Sequence, residues 1–206
     1  MKKILTRVLL LTFLLTTFIP TTAFAYSYGK DDQEPLANSY SKVAAALNTN
    51  NGKVVDSEFK AHKAELTKEF GATLVKQTEA AIKAKNKNNV LIDYRHYLTL
   101  NVKRRLSSAI ANIKDYKKAK MMVAKATATY EVLAPVVKSK KAASHTAIDA
   151  ALEKAAVAIG NPGLFGTGAK PADLKALTAS IDTINKNLAS LFPVRKVTPV
   201  KPVTKR

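Results

Sequence analysis

Apolar side chains recur every three or four residues along most of this chain, and nowhere do they alternate with polar ones for long enough to predict a strand. The longest such stretch, Val90 to Ile113, carries Leu91, Tyr94, Leu98, Val102, Ala109 and Ile113 on one face. At about 1.5 Å of rise per residue a helix of that length crosses a small domain, so it predicts a central member around which shorter helices close. Arg95 falls close to the apolar face and Arg105 at its edge. A guanidinium in either place calls for a carboxylate or carbonyl partner.

The flanking segments repeat the pattern at shorter range. Leu36, Tyr40, Val43 and Leu47 predict a helix that opens at Pro35, where a missing N–H does no harm, and closes at Asn48-Thr49-Asn50-Asn51-Gly52. Val55, Phe59, His62, Leu66 and Phe70 predict a second, with Asp56 or Ser57 near its cap and Gly71 after its last turn. Leu74, Val75, Thr78 and Ile82 mark a third over about residues 72–83. Beyond the central stretch Asp115 predicts a turn or a new cap, and Ala119, Val123, Ala126, Tyr130 and Leu133 share one stripe. Pro135 is expected to end or kink that helix, leaving residues 136–143 as a basic connection. Ser144 is then the expected cap of a helix burying Ile148, Leu152, Ala155 and Ile159 and stopping at Gly160.

Gly160-Asn161-Pro162-Gly163-Leu164-Phe165-Gly166-Thr167-Gly168 has the glycines of a phosphate loop but neither a preceding strand nor the Lys-Ser/Thr ending. It reads as a helix terminator with Leu164 and Phe165 plugging the end of the core. From near Pro171, Leu174, Leu177, Ile181, Ile184, Leu188 and Leu191 alternate at three and four, the seam of a close-packed helix pair. The fold class is therefore all-α, an up-and-down bundle of six or seven helices occupying residues 26–192 as one domain.

The two ends depart from the helical pattern. Lys2, Lys3 and Arg7 precede an uncharged run from Val8 to Ile19 and then Ala23-Phe24-Ala25. A run that short, with small residues after it, predicts a signal peptide over residues 1–25 and a mature chain from Tyr26. Residues 193–206, PVRKVTPVKPVTKR, hold three prolines, five basic side chains and no acid, which predicts an extended tail.

Composition adds a charge. Lys plus Arg number 34 against 15 Asp plus Glu, a net +19, or +16 once Lys2, Lys3 and Arg7 are removed. Such an excess favours adsorption to polyanions, here acidic wall polymer or an anionic membrane surface, and the tail residues Arg195, Lys196, Lys201, Lys205 and Arg206 are the expected contacts. Lysine dominates, and an ammonium lacks the planar fork that reads a base edge, so specific nucleic-acid recognition is not expected. With no cysteine the chain has no disulfide, thiol chemistry or lipid-modified cysteine, and its core alone must hold it.

The residues that could carry chemistry are few. His145 lies beside a helix start and His96 points away from the apolar arc, so both read as solvated. His62 sits within an apolar face with Glu58 four residues before and Glu65 three after. Glu58, His62 and Glu65 are thus candidate ligands for iron or another divalent metal, if facing helices supply the rest; the other reading is a buried histidine oriented by one carboxylate. No Gly-x-Ser-x-Gly, His-Glu-x-x-His or apolar acidic pair suggests an enzyme.

His62-Lys63-Ala64-Glu65 resembles the short motif of imelysin-type iron-uptake proteins. Three further words, Tyr26-Ser27-Tyr28-Gly29, Asn101-Val102-Lys103-Arg104-Arg105-Leu106 and Gly160-Asn161-Pro162-Gly163-Leu164-Phe165-Gly166, resemble small exported helical domains that accompany Gram-positive high-affinity iron permeases. The permease's membrane segments and Arg-Glu-x-x-Glu motif are absent. Taken together, the residues predict a secreted, non-enzymatic binding protein of the bacterial cell envelope. The alternative, which the resemblance implies, is an extracellular metal-binding accessory with a membrane iron permease as partner.

Overall fold

The computed structural model describes residues 34–163, 165 and 167–195, so the expected signal peptide and most of the tail lie outside the described residues. Eight helices follow one another: α1 (Pro35–Asn48), α2 (Gly52–Phe70), α3 (Ala72–Lys83), α4 (Lys87–Ala111), α5 (Tyr116–Glu131), α6 (Ala134–Lys140), α7 (Ala142–Ala158) and α8 (Leu174–Leu191). The described residues contain no strand; an isolated antiparallel bridge joins Asn161 and Lys170. The fold is all-α, a closely packed helical bundle.

Consecutive helices pack on one another because the connections up to α7 are too short to let them part, and α4 is the member shared by most of the others. Its Tyr94, Tyr97, Leu98, Val102, Leu106 and Ala109 are fully buried, in a core to which all eight helices contribute. Directions follow from the contacts. Glu34 at the head of α1 binds Arg105 late in α4, while Tyr40 further along α1 accepts from Arg95 Nε at 3.2 Å. Likewise the carbonyl oxygen of Phe192, just past α8, lies 3.1 Å from Nδ1 of the early-α4 residue His96. Both α1 and α8 therefore run antiparallel to α4.

Burying polar groups on α4 requires partners, and most have them. Asn101 donates to Thr129 Oγ1 at 3.1 Å and accepts from Arg104 at 2.8 Å; the Tyr97 hydroxyl pairs with that of Thr78 at 3.0 Å. The Tyr94 hydroxyl and Ser39 Oγ, both buried, lack a partner at full hydrogen-bonding geometry. Burial pushes the Tyr94 phenol up to about 12, the nearby Ser39 hydroxyl offsetting only part of this.

Several expected boundaries move. Asn51, and not Asp56 or Ser57, caps α2 by accepting from Val54 N, and Asn86 caps α4 at Lys87, three residues before Val90. Asp115 caps α5 as expected. Residues 136–143 are not a plain connection: Pro135 sits in the first turn of α6, whose Val137 is buried. The ring that stops one helix suits the start of the next. Helix α7 begins at Ala142, so Ser144 lies inside its first turn, buried and with Oγ unpartnered, and is not the cap. Helix α8 begins at Leu174 behind an Asp173 cap, three residues after Pro171. Phe165 does not plug the core; it is fully exposed, while Leu164 lies outside the described residues.

Candidate functional site

Helix α2 does bring Glu58, His62 and Glu65 together, because residues four and three apart share a face. Their arrangement is a fork and not a cage. His62 Nε2 lies 3.8 Å from Glu58 Oε2, and its other nitrogen, Nδ1, lies 4.0 Å from Glu65 Oε2. The two nitrogens of one ring point in different directions, so a single ion held by the imidazole cannot meet both carboxylates at the roughly 2 Å that metal ligation requires. Lys42 Nζ already occupies Glu58 Oε1 at 2.9 Å, and the crevice beside His62 and Glu65 is lined by Arg104. That crevice is about 10 Å³, too narrow for more than a water molecule. Among the described residues no three His, Asp or Glu side chains are grouped as metal ligands. The described geometry lends the expected metal site at Glu58, His62 and Glu65 no support: Glu58 is paired with Lys42, Glu65 faces only the imidazole, and Arg104 beside them pairs with Glu69.

Arg195 also departs from expectation. Its Nε and Nη2 donate to Asp93 Oδ1 and Oδ2 at 3.1 and 2.8 Å, and Gln77 Nε2 donates to the same Oδ1 at 2.8 Å. The Asp93 side chain is 1% exposed, and its hydrogen bond and charge raise the affinity of the Arg195 guanidinium for its proton still further. Arg195 is therefore a clasp that ties the chain after α8 to α3 and α4, and is not offered to a polyanion. Lys196, Lys201, Lys205 and Arg206 lie outside the described residues.

The remaining histidines are not simply solvated. His145 Nδ1 lies 2.8 Å from the Tyr130 hydroxyl and its Nε2 lies 3.3 Å from Asp149 Oδ2, linking α5 to α7. Burial holds the Tyr130 phenol well above its usual range. The Tyr130–His145–Asp149 line thus ties α5 to α7 through side-chain contacts.

A wider concavity lies elsewhere, at the end of the bundle where α4, α5, α7 and α8 meet. It is an open cleft of about 490 Å³, with Ile113, Tyr116, Ile159 and Leu174 among its apolar lining and Lys114, Lys170 and Asn161 as its polar groups. The loop that forms one wall is fixed by reciprocal backbone bonds, Asn161 N to Lys170 O at 2.8 Å and Lys170 N to Asn161 O at 2.7 Å. Among the described residues neither Lys114 nor Lys170 has a carboxylate at ion-pair distance. The neighbouring acids are spent as helix caps: Asp115 accepts from Lys118 N and pairs with its Nζ at 3.2 Å, and Asp173 accepts from Ala176 N. The cleft can hold an anion beside apolar surface. Sequence reading missed it because its two lysines stand 56 positions apart in the chain; the one local signal was the glycine-rich segment that precedes Lys170.

Fold and site together define a basic helical bundle with a cationic cleft at one end. No protein-family model, curated protein or solved structure matches the chain.

Proposed function

We propose that this is a secreted, non-enzymatic binding protein of the bacterial cell envelope that adsorbs to anionic wall polymer through an excess of exposed lysines. The observation that carries the reading is how the charges are distributed. Lys42, Lys60, Lys63, Lys83 and Lys118 pair with carboxylates, whereas exposed lysines such as Lys138, Lys141 and Lys175 have none at ion-pair distance among the described residues. The acids are largely consumed within the fold, so the positive surplus faces outward. No described helix is long and apolar enough to cross a membrane, and the predicted signal peptide supports export. The alternative, an accessory of iron uptake, rests on the short sequence words alone and gains nothing from the His62 face.

Adsorption to purified anionic wall polymer, measured as ionic strength is raised from about 0.05 M to about 0.5 M, tests the reading, because screening shortens the reach of exposed charges over that range. The bound fraction should fall steeply. Binding that ignores salt, or none at low salt, would overturn it.

A further inference from the structure

The cleft end of the bundle carries a second feature that polyanion binding does not use. Of the four large apolar residues exposed among the described residues, Val157, Phe165 and Leu174 belong to the last turn of α7, the following loop and the first turn of α8; only Val194 lies beyond the other end of α8. Phe165 is 100% exposed and sits at φ +52°, a backbone shape that bulky side chains rarely adopt. An aromatic ring held out in this way, uncovered among the described residues, points to a contact surface. Lys114 and Lys170 line the cleft in the same end.

We propose that this end is a membrane-contact face for an anionic bilayer. Phe165, together with Val157 and Leu174 of the same end, enters the boundary between head groups and acyl chains, while Lys114 and Lys170 pair with lipid phosphates in and around the cleft. Apolar penetration and phosphate pairing reinforce each other, since neither a few apolar residues nor two lysines would hold a protein on a bilayer alone. A wall polymer would satisfy the lysines but leave the Phe165 ring in water, which is why lipid is the occupant the geometry favours. The inference stands apart from wall-polymer adsorption, which needs charge but no insertion.

The chain contains no tryptophan, so Phe165→Trp gives the full-length protein a single reporter that sees this loop whatever other segment adheres. Mixed phosphatidylglycerol–phosphatidylcholine vesicles should shift its emission to the blue, and lipids brominated on their acyl chains should quench it; phosphatidylcholine vesicles should do neither. Lys114→Gln/Lys170→Gln should weaken partitioning of this reporter protein to the anionic vesicles roughly ten- to thirty-fold at low salt. Phe165→Asn, at a backbone angle that asparagine accepts, should cost roughly ten-fold in vesicle co-sedimentation with the helical signal unchanged. Co-sedimentation of the reporter protein with its tryptophan emission unshifted would overturn the proposal, because charge elsewhere would then account for binding. So would an emission shift produced equally by purified wall polymer, which would assign the cleft and its loop to the polymer.

Discussion

Single side chains decide how the first and last described residues are tied down. Arg95 and Arg105 signal a need for partners, but those partners, Tyr40 and Glu34, stand 55 and 71 positions away and no local pattern points to them. Arg195 is hidden for the opposite reason. Its neighbours in sequence include a proline and a lysine, so it reads as tail, whereas its guanidinium finds the deeply buried carboxylate on α4. Ending the chain after Arg195 should therefore leave stability to urea unchanged, while ending it after Phe192 should cost roughly 3 kcal/mol by stranding Asp93. In the chain ending after Phe192, Asp93→Leu should recover most of that loss by removing the stranded carboxylate, and equal stability of the two truncations would show that the clasp contributes nothing. At His62 the expectation runs the other way. Contacts of 3.8 and 4.0 Å on a partly exposed ring hold little energy, so His62→Leu should change stability by less than about 1 kcal/mol. Calorimetric titration with zinc should be equally weak in both proteins; saturable binding lost on substitution would restore the metal site.

At the scale of elements, periodicity is the reliable guide, because each helix owes its existence to an apolar face and that face repeats at 3.6 residues. α1, α3 and the seam of α8 are legible for this reason. Boundaries are less so, since asparagine, serine and aspartate can each cap, and which one does depends on where the buried face must begin. Pro135 is ambiguous in the same way, and α6 is the helix that ambiguity conceals. The exposed Phe165 shows the limit of reading burial from side-chain type. The turn after α7 makes a sharper demand. Gly160 has φ +78°, and a Cβ there would stand 2.5 Å from Lys170 O. Gly160→Ala should cost about 2–3 kcal/mol, since strain and a backbone clash coincide. Gly71→Ala, at φ +90° and ψ 151° but with open space around it, should cost less, about 1–2 kcal/mol, from backbone strain alone. Thermal melts of the two variants compare these costs directly; the same loss in both would mean that the 160s loop yields freely.

For the molecule as a whole, cohesion rests on the core without any disulfide, since the chain has no cysteine. Its three central phenols make that cohesion sensitive to alkali. Burial raises Tyr94 to about 12 and lifts Tyr97 and Tyr130 beyond it, so above pH 10 the unfolded chain loses protons that the folded one keeps. Stability is fully present below about pH 10 and should drain away between pH 10 and 12, Tyr94 alone accounting for roughly 2–3 kcal/mol. Tyrosinate absorbance followed with circular dichroism should show an early step from the more accessible tyrosines and a later one coincident with loss of helix. A single step near pH 10 with the helix intact would mean that these phenols are not sealed in. The clasp at Arg195 has one more consequence. Helix α8, with 18 residues, is about 27 Å long, and the clasp holds its far end opposite the cleft. Arg195, the last described residue, is thus held at the pole away from Phe165. A molecule seated on lipid by its loop would carry the Arg195 clasp one helix length away from the bilayer, as a rivet whose shank is α8.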